Sequence, residues 1–89
     1  MVAASAGRYA RRVKTTDYFR HVRQRADRAK ILDAWIEAAI RNPIAELVQP
    51  DGRVRRWIFV VEVGRYLRIV LLSDRVTVHN AFFDRSFKP

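Results

Sequence analysis

Apolar residues recur with two different periods along this chain of 89 residues, helical in the first half and alternating in the second. Phe19, Val22, Ala26 and Ala29 are three or four residues apart, which predicts a helix from Thr16 or Asp17 to about Arg28. Either starting residue can accept hydrogen bonds from the orphan amides of a first turn. Ile36, Ala39 and Ile40 predict a second helix from about Asp33 to Arg41, and Asn42-Pro43 ends it because proline cannot continue the ladder.

From Ile44 onward the pattern changes to short β-branched and aromatic runs separated by turn residues. Ile44 to Val48 reads as a strand, and Pro50-Asp51-Gly52 as a turn in which proline presets its dihedral and glycine admits positive φ. Val54 to Val63, Tyr66 to Leu72 and Val76 to Ala81 follow as strands, broken at Gly64-Arg65 and at Ser73-Asp74-Arg75. The order predicts an α+β domain, with two N-terminal helices packed on a three- or four-stranded antiparallel sheet. Parallel pairing is not expected, because no crossover connection is visible. Leu67, Ile69 and Leu71 alternate with Arg68, Val70 and Leu72, so the second sheet face is only partly polar. The aromatic segment Ala81 to Phe87 is expected to lie over it, with a second copy of the chain as the alternative cover.

Charge adds a partner to this picture. The chain carries 18 Lys and Arg against 9 Asp and Glu, a net +9, and the excess is concentrated in residues 1–30. Such a field attracts polyanions and releases their counterions, so nucleic acid leads, ahead of an acidic protein or an anionic membrane surface. Residues 1–16, free of acids and rich in Arg, read as a flexible basic arm ahead of a single domain at 17–89. Cysteine is absent and the two histidines belong to no ligand cluster, so neither a disulfide nor a metal or other cofactor is expected. No apolar run is long enough to span a bilayer, and no secretory signal is visible, which points to a cytoplasmic protein without membrane association.

The candidate chemistry begins with His21, Arg25 and Arg28, whose spacing would stack an imidazole and two guanidiniums on one stripe of the first helix. Like charges so placed repel, so the stripe is suited to a phosphate, although pairing with internal carboxylates or simple solvation would account for it as well. Arg20 and Arg23 add to the same helix. Arg53, Arg55, Arg56, Arg65 and Arg68 decorate the strands and Arg85 the tail, making either a basic wall for nucleic acid or ordinary edge protection. Trp35, Trp57 and Tyr66 suit core packing or base stacking. Thr77 and His79 share one face of the last strand by the two-residue period.

His21-x-x-x-Arg25-x-x-Arg28-x-x-Ile31, Ile36, Ala39-Ile40, Asn42-Pro43, Asp51-Gly52 and Thr77-Val78-His79, taken in order, resemble an uncharacterised bacterial family of small RelE-like domains. That family is grouped with the barnase, EndoU, colicin and RelE ribonucleases. The likeness spans roughly residues 18–83, with His79 where the family usually has tyrosine. It implies two helices on a four-stranded antiparallel sheet, RNA as partner, and metal-independent endoribonuclease activity of toxin–antitoxin type. An acidic antitoxin would then be the natural protein partner. In such cleavage the 2′-hydroxyl attacks, His21 moves the proton with Thr77 and His79 as further candidates, and Arg25 and Arg28 hold the phosphate. A non-catalytic binding module and a dimerising structural protein remain the alternatives.

Overall fold

A computed structural model of the chain describes residues 13–89. Its elements in order are β1 (Lys14–Thr15), α1 (Asp17–Val22), α2 (Asp33–Arg41), β2 (Ala45–Val48), β3 (Val54–Val60), β4 (Arg65–Leu71) and β5 (Thr77–Phe83). The strands form one five-stranded sheet in the order β1-β5-β4-β3-β2. Both helices lie on one face of it. There Phe19, Ile31, Ile36 and Ala39 meet Val54, Ile58 and Val60 of β3, Leu67, Ile69 and Leu71 of β4, and Val78 and Ala81 of β5.

The α+β class and the meander of β2 to β5 follow the sequence pattern, and α2 occupies the expected residues. Three features depart from it. The sheet is mixed, because Lys14 and Thr15 pair in parallel with Thr77 and Val78, and the Thr16 amide donates to the Val78 carbonyl at 3.0 Å. An unpaired sheet edge recruits any extended chain that passes it, and everything between β1 and β5 serves as the crossover. Two residues assigned to a basic arm are thus structural, while residues 1–12 of that arm lie outside the described residues.

The first helix is also shorter than its periodicity suggests. Thr16 caps α1 by accepting from the Phe19 amide at 3.1 Å, but the helical ladder stops at Val22. Residues 23–30 continue as tight turns, such as Arg25 N–H to Val22 carbonyl at 3.0 Å and Arg28 N–H to Arg25 carbonyl at 2.9 Å. Ala26 and Ala29 are exposed, and such small side chains offer too little buried area to hold a marginal helix. Arg23 bends the chain instead, pairing with Asp33 at 2.5 Å at the start of α2. The third departure is in β3, which ends at Val60; residues 61–64 turn, with Gly64 at φ +64.

The sheet face turned away from the helices carries Arg55, Trp57 and Phe59 of β3 alternating with the core residues, and Tyr66, Arg68 and Val70 of β4. The tail covers one end of this face through Phe87, whereas Ala81 to Phe83, expected to lie over it as well, form the end of β5, with Phe83 packed on the helix side. Phe87 stacks on Trp57 at 4.7 Å and meets Tyr66 edge-on at 5.1 Å. Asp84, almost fully buried, accepts from the Trp57 indole at 3.0 Å and from the Ser86 hydroxyl at 2.7 Å. Toward the other end Arg53, Arg55, Val70 and Leu72 remain partly exposed.

Candidate nucleic-acid interface

A bulge in β5 shapes the open end of this face. Leu71 pairs with Val78 and Val70 with Asn80, so His79 is an extra residue without a partner on β4. Val78 and Ala81 are both buried in the core, which leaves the intervening His79 and Asn80 directed away from it together. His79 Nδ1 lies 3.1 Å from the Thr16 hydroxyl, and its ring stacks on Tyr18 of α1 at 4.9 Å. Since the Thr16 oxygen already accepts from the Phe19 amide, its own hydrogen can be donated to Nδ1 of a neutral imidazole. Burial, helped by the positive charge of Arg53, holds His79 below the usual histidine range and favours that neutral form.

Asn80 receives Arg28, whose Nη1 donates to Oδ1 at 2.9 Å. The Arg28 guanidinium also lies 5.3 Å from the centroid of Phe82 and 3.4 Å from Asp27. Arg68 sits over the same Phe82 ring at 4.4 Å, with Nε 3.5 Å from Asp84 but without hydrogen-bond geometry. Burial lowers the basicity of Arg68, opposed by the attraction of Asp84. Arg55 donates to the neutral Gln49 at 2.7 Å, and Arg53 is only loosely paired, 3.8 Å from Asp51. Four guanidiniums and a neutral imidazole therefore belong to one side of the sheet.

The stripe of His21, Arg25 and Arg28 does not exist as a single helical row, because the helix ends before two of its members. His21 is exposed on α1, three residues beyond Tyr18, and no hydrogen bond or ring contact joins it to His79. Arg25 is exposed in the turns, 3.9 Å from Asp27. Arg28 alone reaches the sheet. Thr77 and His79 flank Val78 on the same side of β5, yet the Thr77 hydroxyl donates to Asp74 at 2.6 Å and is occupied in closing the turn.

The remaining basic residues divide by location. Arg56 points to the helix side, where it donates to the Ile40 carbonyl at 2.7 Å and to Glu46 at 2.7 Å, finishing the last turn of α2. Arg20 pairs with Asp17 and Arg23 with Asp33. Arg65 lies over Phe83 at 5.8 Å, and Arg85 is exposed in the tail. Trp35 packs against the core and the edge of Phe83, and Trp57 is buried under Phe87, so neither presents a free face for a base.

Asn80 and Phe82 were not singled out as site residues by sequence reasoning. The only signal for them was their position within three residues of His79, which no periodicity weights. Among the described residues no helix is long and apolar enough to cross a membrane. Comparison with known protein families, curated proteins and solved structures returned no match to the chain.

Proposed function

We propose that the protein binds single-stranded RNA on the open end of the sheet face opposite its helices. The observation that carries this reading is the set Arg28, Arg53, Arg55 and Arg68 on the same side of the sheet as the bulged His79, a face that the C-terminal tail leaves partly exposed. Guanidiniums held by Asn80, Gln49 and an aromatic ring are preorganised for forked contacts with phosphate oxygens. Fluorescence anisotropy with a labelled single-stranded RNA tests it. Binding is expected to weaken steeply with salt and on Arg53→Ala with Arg55→Ala; absence of binding at low salt overturns the reading.

A second reading, RelE-like metal-independent endoribonuclease, is favoured by the neutral imidazole of His79 beside a phosphate-competent Arg28. The imidazole would take the proton of a ribose 2′-hydroxyl as its oxygen attacks the adjacent phosphorus, and the P–O5′ bond breaks with the 5′-oxygen taking a proton from water. The products would be a 2′,3′-cyclic phosphate and a 5′-hydroxyl. Arg28 would neutralise the charge that builds on the phosphate oxygens. Incubation with RNA in chelator, beside His79→Ala and His21→Ala, decides between turnover and binding alone. Cleavage abolished by His79→Ala supports catalysis there; cleavage lost only with His21→Ala moves the proton-transfer role to α1. An acidic protein of antitoxin type would suit the same basic face as a partner.

A further inference from the structure

Beyond the point where β1 ends, β5 has no strand on its outer side among the described residues, and a cleft of about 450 Å³ opens there between the turn after α1 and the tail. Arg28, Arg65 and Arg85 line it together with Asp27, Phe82 and Phe83. Arg65 and Arg85 have no carboxylate partner among the described residues, whereas Arg28 shares Asp27 and Asn80. The lining carries three guanidiniums against one carboxylate, a net +2. Arg28 lies over Phe82 and Arg65 over Phe83, so two of the three cations rest on aromatic rings, and for Arg65 the ring takes the place of a counter-charge among the described residues. A second pocket of about 300 Å³ adjoins, sharing Arg65, Phe83 and Arg85 and adding the walls of Tyr66 and Phe87.

We propose that this cleft binds a phosphate monoester, the phosphorylated end of a nucleic-acid strand, with the terminal nucleoside in the adjoining aromatic pocket. A monoester carries about −1.5 to −2 at neutral pH, against −1 for an internal diester, and so matches the lining charge where an internal phosphate does not. Its three free oxygens can each take a guanidinium edge, a geometry that a chain continuing on both sides would obstruct. Phe82 joins the cleft to the RNA face, since its ring carries both Arg28 and Arg68. The proposal rests on the RNA-binding reading for the source of the phosphate, though the cleft chemistry stands without it.

The test compares one short RNA sequence bearing a 5′-phosphate, a 3′-phosphate or hydroxyls at both ends, each titrated against the wild-type chain and against Arg65→Gln with Arg85→Gln. The ratio between ends is the readout. One phosphorylated end is expected to bind about tenfold tighter than the hydroxyl-ended strand, as for hydrogen bonds to a charged group, and which end does so identifies the source. The ratio falls to near unity in the double variant, and in Arg85→Gln alone, at an exposed position, it is reduced. Equal affinity for all three strands in the wild type overturns the cleft while leaving RNA binding intact. If no strand binds, a nucleoside monophosphate followed by NMR of the arginine side chains separates the two ideas. Shifts confined to Arg28, Arg65 and Arg85 keep the cleft and discard the RNA face, and no shift discards both.

Discussion

Arg55 gives the sharpest test of the open sheet face, because its hydrogen bond goes to a neutral glutamine and its positive charge is not already balanced by a carboxylate. Each phosphate neutralised on a single strand contributes about −0.7 to the slope of log K against log salt. If Arg28, Arg53, Arg55 and Arg68 each meet one phosphate, the slope is about −2.8, and Arg55→Ala should reduce it to about −2.1. Between about 50 and 200 mM salt the wild type would then lose roughly 50-fold in affinity and the variant roughly 20-fold. Arg75→Ala is the control, since that guanidinium is held by Glu46, 3.1 Å away, and its removal should leave the slope near the wild-type value. Anisotropy titrations at four or five salt concentrations measure both quantities. An Arg55→Ala slope equal to wild type, with Arg75→Ala reducing it instead, would refute the assignment of the face.

Three further outcomes concern the scaffold. Asp84→Ala strands the buried Trp57 N–H and leaves Arg68 without its carboxylate; urea unfolding should show a loss of about 2–4 kcal/mol, and a change below half a kcal/mol would mean the tail does not hold the face. Leu32→Ser supplies the missing side-chain cap of α2 and removes an exposed leucine, so the thermal midpoint should rise with a gain of about 1 kcal/mol; a fall contradicts the cap geometry. Asp74 is held down to about 2, from 3.8, by the hydroxyl of Thr77 and the amides of Thr77 and Val76. A depressed carboxylate stabilises above its unfolded value and loses that contribution as pH falls through the folded one. Wild type and Asp74→Asn should therefore differ at pH 5 and converge by about pH 2 in acid-unfolding curves; parallel curves would count against the turn contacts.

What could be read from residues alone divides along physical lines. Elements with strong local signals were legible: α2 with its proline stop, the Pro50-Asp51-Gly52 turn with Gly52 at φ +90, and strands whose alternation matches their burial. Elements decided by tertiary contacts were not. The helical period of Phe19, Val22, Ala26 and Ala29 is real, but only Phe19 and Val22 reach the core, and periodicity does not register how much area an alanine buries. Strand β1 is two residues long and its partner lies 63 positions away, so no local pattern announces it. The same limits govern the site. His21, Arg25 and Arg28 were grouped by a period that the chain abandons after Val22, whereas Arg28, Asn80 and Phe82 meet through a turn and a strand edge, which spacing does not encode.

The bulge at His79 links fold to chemistry. A regular β5 would keep strict alternation through Ala81, placing Asn80 on the core side with Val78 and turning Ala81 outward. The inserted residue restores Ala81 to the core and sets His79 and Asn80 side by side on the open face, one held by Thr16 and Tyr18 of the α1 region and the other by Arg28. An unpaired residue in a ladder weakens the strand and twists it, so stability alone gives no reason for it. The proposed RNA binding would give it one: the bulge brings an imidazole and an amide-anchored guanidinium onto neighbouring positions of the same surface. Deleting His79 would therefore restore a regular ladder without turning its neighbours, since Val78 and Asn80 already oppose Leu71 and Val70; Asn80 would keep Arg28 on the open face, and what is lost is the imidazole with its contacts to Thr16 and Tyr18.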